Sequence, residues 1–229
     1  MKRNMLNCRK AALVLCLCIG CCLYASRGLA AEVSEEGSIV EERGGLLYLP
    51  AGIETGVVYP LLIAFSSDGD AAWYLDHLMA LADEYTWIVF ASSGFDEDAS
   101  MIEVVNPLAD LLPVLAEEYP VDLENVFTCG YDEGGSCAYY FAWAHPDRIA
   151  GVIADNAVIG RDDLGDALLN AFPERKKVVL ITSDDQQVER EMDGDADFLA
   201  DLEWKIEWLE NEEGDLPAPE GLYRAAIGW

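Results

Sequence analysis

Gly130-Tyr131-Asp132-Glu133-Gly134-Gly135 joins two apolar runs, and this junction constrains the chain more than any other stretch. Val121 to Cys129, ahead of it, reads as a short buried strand. Ser136 to Ala144, behind it, reads as a buried helix closed by His145-Pro146. A glycine-rich turn therefore has to swing a strand directly into a helix. Both elements read as buried, so both belong in an interior.

The rest of the chain repeats the alternation. Gly45 to Pro50 reads as a first strand, and Glu32 to Glu42 before it as an acidic, frayed lead. Tyr59 to Phe65 is a second strand, followed by a polar turn at Ser66 to Asp70. Asp70 to Tyr85 is a helix with Ala71, Tyr74, Leu75, Leu78, Leu81, Ala82 and Tyr85 on one stripe. Trp87 to Ala91 is a strand, and Ser100 to Tyr119 is helical, with Pro107 and Pro113 breaking or bending it. Beyond the junction, Ile149 to Ile159 holds a strand, Asp163 to Ala171 a short helix and Lys177 to Ile181 a strand. Phe198 to Leu202 is helical, Lys205 to Leu209 is a last strand, and Glu220 to Trp229 a closing helix. Continuous apolar strands alternating with helices predict a mostly parallel sheet covered on both faces, a three-layer α/β/α sandwich.

With 229 residues and 52% hydrophobic content, the chain suits one such domain, spanning 45–229 after an acidic segment at 31–44. Residues 1–30 read as a secretory signal: Lys2, Arg3, Arg9 and Lys10, then an apolar run from Ala11 to Ala25, then Gly28-Leu29-Ala30 as a cleavage site. That predicts a secreted or periplasmic protein with no integral membrane span once the signal is removed. Lipid anchoring at Cys21, through Ile19-Gly20-Cys21, is the alternative. Five cysteines lie in the leader, and Cys129 and Cys137 read as buried free thiols.

The formal charge is −29, and loss of the leader, with its five basic residues and no acidic one, takes it to roughly −34. Such a surface excludes nucleic acid and anionic membranes as partners. It reads as a solvated acidic coat, and it also suits cations.

From Pro60 to Trp229 the sequence resembles small secreted esterases and polyhydroxybutyrate-depolymerase-like proteins of the α/β-hydrolase superfamily. Pro60-Leu61-Leu62-Ile63-Ala64-Phe65 resembles the strand that leads into their oxyanion loop. Ala80-Leu81-Ala82-Asp83-Glu84-Tyr85 with Trp87-Ile88-Val89 resembles their helix-to-strand passage. Tyr119 to Val126 resembles the lead into the Gly-x-Ser-x-Gly nucleophile elbow, and His145 to Gly151 the segment after the elbow helix. The resemblance implies a fold. It also marks where the chemistry departs.

A serine hydrolase needs an attacking hydroxyl, an imidazole base and an acid that orients it. The resemblance puts Asp132 at the nucleophile position, Asp185 or Asp184 at the acid position, and Asp215 where the histidine belongs. Ser66-Ser67-Asp68-Gly69 replaces the usual His-Gly-Gly, leaving Ser66, Ser67 and Glu133 as the oxyanion-loop positions. Of the chain's two histidines, His145 lies thirteen residues along the elbow helix, about 20 Å from Asp132. His77 lies off its helix's apolar stripe and reads as exposed.

Asp132 reads as a helix cap on a vestigial turn. Some enzymes of this fold use an elbow aspartate as nucleophile, yet they still need a histidine. The function expected is therefore binding or scaffolding by a domain that has lost serine-hydrolase activity, with no cofactor. The alternatives are an active hydrolase and a cation-binding acidic protein, the three aspartates offering oxygen ligands to a hard cation. Asp193-Gly194-Asp195-Ala196-Asp197 has the Asp-x-Asp-x-Asp spacing of a calcium loop, but Trp204 stands where the bidentate glutamate belongs, so a surface loop is the expectation.

Overall fold

The protein is described from a computed structural model covering residues 36–94, 100–161, 171–183, 185–214 and 217–229. The segment 1–30 expected to be a signal, the helix expected at Asp163–Ala171 (apart from Ala171), Asp184 and Asp215 lie outside the described residues.

Eight strands form one sheet. They are β1 (Ser38–Glu42), β2 (Gly45–Leu49), β3 (Tyr59–Phe65), β4 (Ile88–Ser92), β5 (Val121–Tyr131), β6 (Gly151–Asp155), β7 (Lys177–Thr182) and β8 (Lys205–Glu210). Their spatial order is β1-β2-β4-β3-β5-β6-β7-β8. β1 and β2 pair antiparallel, as do β2 and β4, and every later pairing is parallel. The chain thus winds outward from β3 in both directions, which puts β5 near the centre and its carboxyl end at a crevice between loops.

Five described helices cover the faces: α1 (Ala71–Tyr85), α2 (Met101–Glu118), α3 (Glu133–Ala144), α4 (Gln186–Asp201) and α5 (Glu220–Ile227). Strand residues alternate between the two faces. Leu61, Ile63 and Phe65 of β3 point to one core with Val105, Leu112, Phe141 and Leu199 from α2, α3 and α4. Leu62 and Ala64 point to the other with Tyr74, Leu78 and Tyr223 from α1 and α5. Cys129 and Cys137 are buried free thiols, as expected, and burial pushes both up to about 12. Among the described residues no helix is long and apolar enough to cross a membrane.

Three local expectations are corrected. Part of the acidic lead is strand β1, paired to β2 from Ser38–Leu49 to Glu42–Gly45, with Glu41 facing water and Glu42 accepting from the Tyr119 hydroxyl. Pro107 and Pro113 lie inside one continuous helix, α2, opened by a Ser100–Glu103 capping box. Both prolines are on the exposed side, where water can serve the carbonyls that lose an N–H. The Asp193–Asp197 run is not a loop but the middle of α4, whose Met192, Ala196 and Leu199 face the core.

Candidate functional site

β5 ends at Tyr131, α3 begins at Glu133, and the whole change of direction falls on Asp132, with φ 52 and ψ −129. A side-chain-bearing residue is strained there by about 1–3 kcal/mol. The turn survives because its surroundings fix it. A Cβ on Gly134 would fall on the Phe65 carbonyl, and one on Gly130 on the Gly134 backbone, so only glycine lets α3 pack this close to β3 and β5. Asp132 N donates to Asp155 O at 2.9 Å, while Gly135 N and Ser136 N donate to Asp132 O at 2.9 and 3.2 Å.

The side chain at this corner does not cap the helix, which corrects the expectation from sequence. With φ positive, the Cα–Cβ bond is turned away from the first-turn N–H groups, and the carboxyl stands at the surface. Partial burial, then the hydrogen bond and charge of Glu133, push it up to about 6. The helix N-terminus therefore carries two neighbouring carboxyls, Asp132 and Glu133.

The loop after β3 faces this turn. Ser66 is 1% exposed and its Oγ has no hydrogen-bond partner. Ser67 turns its hydroxyl and backbone N–H toward the Tyr131 phenol, which burial pushes up and Ser67 draws back down. Trp73, on the first turn of α1, meets Tyr131 edge-on at 6.1 Å.

Asp185 caps α4: its carboxylate accepts from Gln187 N at 2.8 Å and Val188 N at 3.3 Å. It follows β7, two strands from β5, or about 10 Å across the sheet. His145 ends α3, as its place in the sequence suggested, with Nε2 3.0 Å from Asn106 Oδ1. His77 is not exposed. It is half-buried, stacked on Tyr74 and edge-on to Tyr223, and its Nε2–H donates to Ala218 O at 2.9 Å. Burial lowers its basicity, countered by the Ala218 carbonyl.

Sequence reasoning missed Asp155. It closes β6 opposite Tyr131 and is fully buried. Its Oδ2 accepts from Ala218 N at 2.6 Å and from the Tyr223 hydroxyl at 3.0 Å, while Oδ1 has no hydrogen-bond partner. The Tyr223 hydroxyl lies 2.8 Å from that of Tyr74, which donates to Cys129 Sγ at 3.7 Å. Burial pushes the Asp155 carboxyl up to about 6, against the pull of Ala218 N and Tyr223. The only signal in the sequence is an aspartate ending an apolar strand, Val152-Ile153-Ala154-Asp155.

Among the described residues no group of three or more His, Cys, Asp or Glu side chains is arranged to hold a metal ion. Asp195, from the calcium-like run, is buried and pairs with Arg161 Nε at 2.5 Å and Ile159 N at 2.7 Å.

No protein-family model and no curated protein sequence matches the chain. Solved structures do. FphF, a fluorophosphonate-binding serine hydrolase of Staphylococcus aureus, superposes with a TM-score of 0.64 at 13% identity over 85% of this chain and 98% of its own. Carboxyl esterase 2 of the mycorrhizal fungus Tuber melanosporum gives 0.63 at 13% identity, covering 89% and 87%. The Francisella virulence factor BioJ gives 0.62 at 12% identity, covering 94% and 89%. With the strand order and the sharp turn after β5, these likenesses establish that the chain has the α/β-hydrolase fold.

Proposed function

We propose that this chain is a non-hydrolytic, exported α/β-hydrolase-fold protein that acts by binding. The observation that carries the reading is a nucleophile turn kept in full backbone detail around an aspartate, in a chain whose two histidines are both committed elsewhere. Acyl transfer by the serine route needs a hydroxyl at the turn and an imidazole beside it. Asp132 offers no hydroxyl. His77 spends its Nε2 proton on the Ala218 carbonyl, and His145 is at the far end of α3. The Ser136 hydroxyl donates to Val158 O at 2.7 Å, so it is not a stand-in nucleophile. An aspartyl ester at Asp132, if formed, would have no base to activate water, because an ordinary carboxylate is a weak base near neutrality.

The test is hydrolysis of nitrophenyl esters together with fluorophosphonate labelling of the purified protein. Neither is expected above a buffer blank, and Asp132→Ser alone is expected to restore neither, since the new serine lacks a base. Robust turnover abolished by Asp132→Ala would overturn the reading in favour of an aspartate nucleophile. Export is tested separately: expression of the full chain should yield an extracytoplasmic product whose amino terminus is Ala31.

A further inference from the structure

The amino ends of the central strands, opposite the turn, are less fully covered than their carboxyl ends. On the face of Leu62 and Ala64 the cover is α5, whose eight residues span about 12 Å, while the six residues of β7 alone span about 20 Å. Where α5 ends there is a slot of about 230 Å³. Phe127, Ile153 and Val179, from β5, β6 and β7, are its floor. Gly151 keeps the floor low: a Cβ there would come 3.0 to 3.2 Å from Lys177 O, Lys177 Cβ and Phe127 Cδ1. Trp87 leans on Phe127 at 5.0 Å, and Trp229 lies on the Lys177 side, so an indole flanks the slot at either end. A cavity of about 150 Å³ holds a benzene, so this one takes a flat ring system with a short arm.

The slot is bordered by described residues. Those next to 95–99, 184 and 215–216 stand at the carboxyl ends of the strands. Ile159 and Phe172, on either side of 162–170, pack in the core on the other face of the sheet. β1 is at the far edge, five strands from β6.

Lys177 is the one charged side chain in the lining. It is exposed, and its Nζ stands 5.5 Å from the centre of the Trp229 ring. The chain has 43 acidic and 14 basic residues, and Arg161, Arg175 and Arg224 are all paired with carboxylates. Among the described residues no carboxylate pairs with Lys177. An unpaired ammonium at the mouth of an aromatic slot selects a flat ring that brings its own anion. The partial negative charge at the carboxyl end of α5 faces the same space and keeps the affinity modest.

We propose that this slot binds a small aromatic carboxylate, its ring on the Phe127, Ile153 and Val179 floor between the two indoles and its carboxylate on Lys177 Nζ. The site is at the opposite end of the sheet from Asp132, so it stands or falls independently of the non-hydrolytic reading.

Indole-3-acetate, indole-3-acetamide and tryptamine carry one ring with a negative, a neutral and a positive arm. Their binding to the mature protein is read by calorimetry and saturation-transfer NMR at physiological ionic strength. Indole-3-acetate should bind in the millimolar range, the amide about threefold more weakly, and tryptamine most weakly. Lys177→Met keeps the stem of an exposed side chain and should bring the acetate down to the level of the amide, whereas Lys177→Arg should preserve the order. Trp229→Ala, also at the surface, should weaken acetate and amide alike, by about fivefold. No binding of indole-3-acetate at millimolar concentration, tryptamine binding as tightly as the acetate, or a preference for the acetate that survives Lys177→Met would each overturn the proposal. Acetate binding that is unchanged in Trp229→Ala would place the ligand elsewhere and overturn it too.

Discussion

Asp132 and Asp155 sit side by side at the top of adjacent strands, joined by the 2.9 Å bond from Asp132 N to Asp155 O, and both carboxyls are pushed up to about 6. The resemblance ends there. Asp132 stands at the surface on a strained backbone, and its carboxyl caps none of the N–H groups of the helix it begins. Asp155 is sealed in the core on a regular strand and ties the α5 approach to the sheet through Ala218 N and Tyr223. In one case the backbone is specified and the side chain is incidental. In the other, the side chain is specified and the backbone is ordinary. The backbone of such a turn is therefore held independently of the side chain that stands at its corner.

The comparison can be broken at four points. If the backbone specifies the turn, Gly134→Ala should be the most damaging change, costing about 3 kcal/mol or more by driving a methyl into the Phe65 carbonyl; chemical denaturation measures it. A loss under 1 kcal/mol would show the turn to be compliant. Asp155→Ala should cost about 2 kcal/mol by leaving Ala218 N and the Tyr223 hydroxyl without their acceptor, and should speed proteolysis near Ala218.

Asp155→Asn sharpens the same side. The folded carboxyl lies near 6 and the unfolded one near 3.9, so the folded state holds its proton more tightly. The contribution to stability is then complete below about pH 4 and is lost as pH rises through about 6, by something on the order of 3 kcal/mol. Asn removes that loss. The difference in melting temperature between wild type and Asp155→Asn should change across this window and be flat above it. The smallest effect is expected at the turn itself. Asp132→Gly relieves the positive φ, at some cost in chain entropy, and should stabilise by about 1 kcal/mol. Destabilisation by Asp132→Gly would mean that the Asp132 carboxyl does more than occupy the corner.

Much of this was legible because it rests on apolar periodicity. The runs Leu61–Phe65, Ile88–Ala91 and Val178–Ile181 show both faces buried, and glycines at 130, 134 and 135 mark the close approach of α3. What the sequence hid depends on partners distant along the chain. β1 is acidic and lies at an edge, so nothing in Ser38–Glu42 signals a strand until β2 supplies the other half of the ladder. Asp185 and Asp155 are both aspartates at strand ends. One caps a helix two residues on, and the other receives a hydrogen bond from Ala218, 63 positions away. His77 reads as exposed by its own helix and is half-buried because Tyr223 and Ala218 close over it.

The outer strands have a consequence for how these molecules meet one another. Among the described residues β1 and β8 each leave one row of backbone N–H and C=O groups without a neighbouring strand, the ordinary starting point for sheets that grow from molecule to molecule. Here both rows carry glutamates, Glu41 and Glu42 on one side, Glu207 and Glu210 on the other. Two copies brought edge to edge would set glutamates beside glutamates, with Lys205 at the start of β8 the one cation on either strand. The acidic excess thus serves as a guard against polymerisation, and acid strong enough to neutralise carboxylates lifts it, leaving the eight-stranded sheet free to extend into a second molecule.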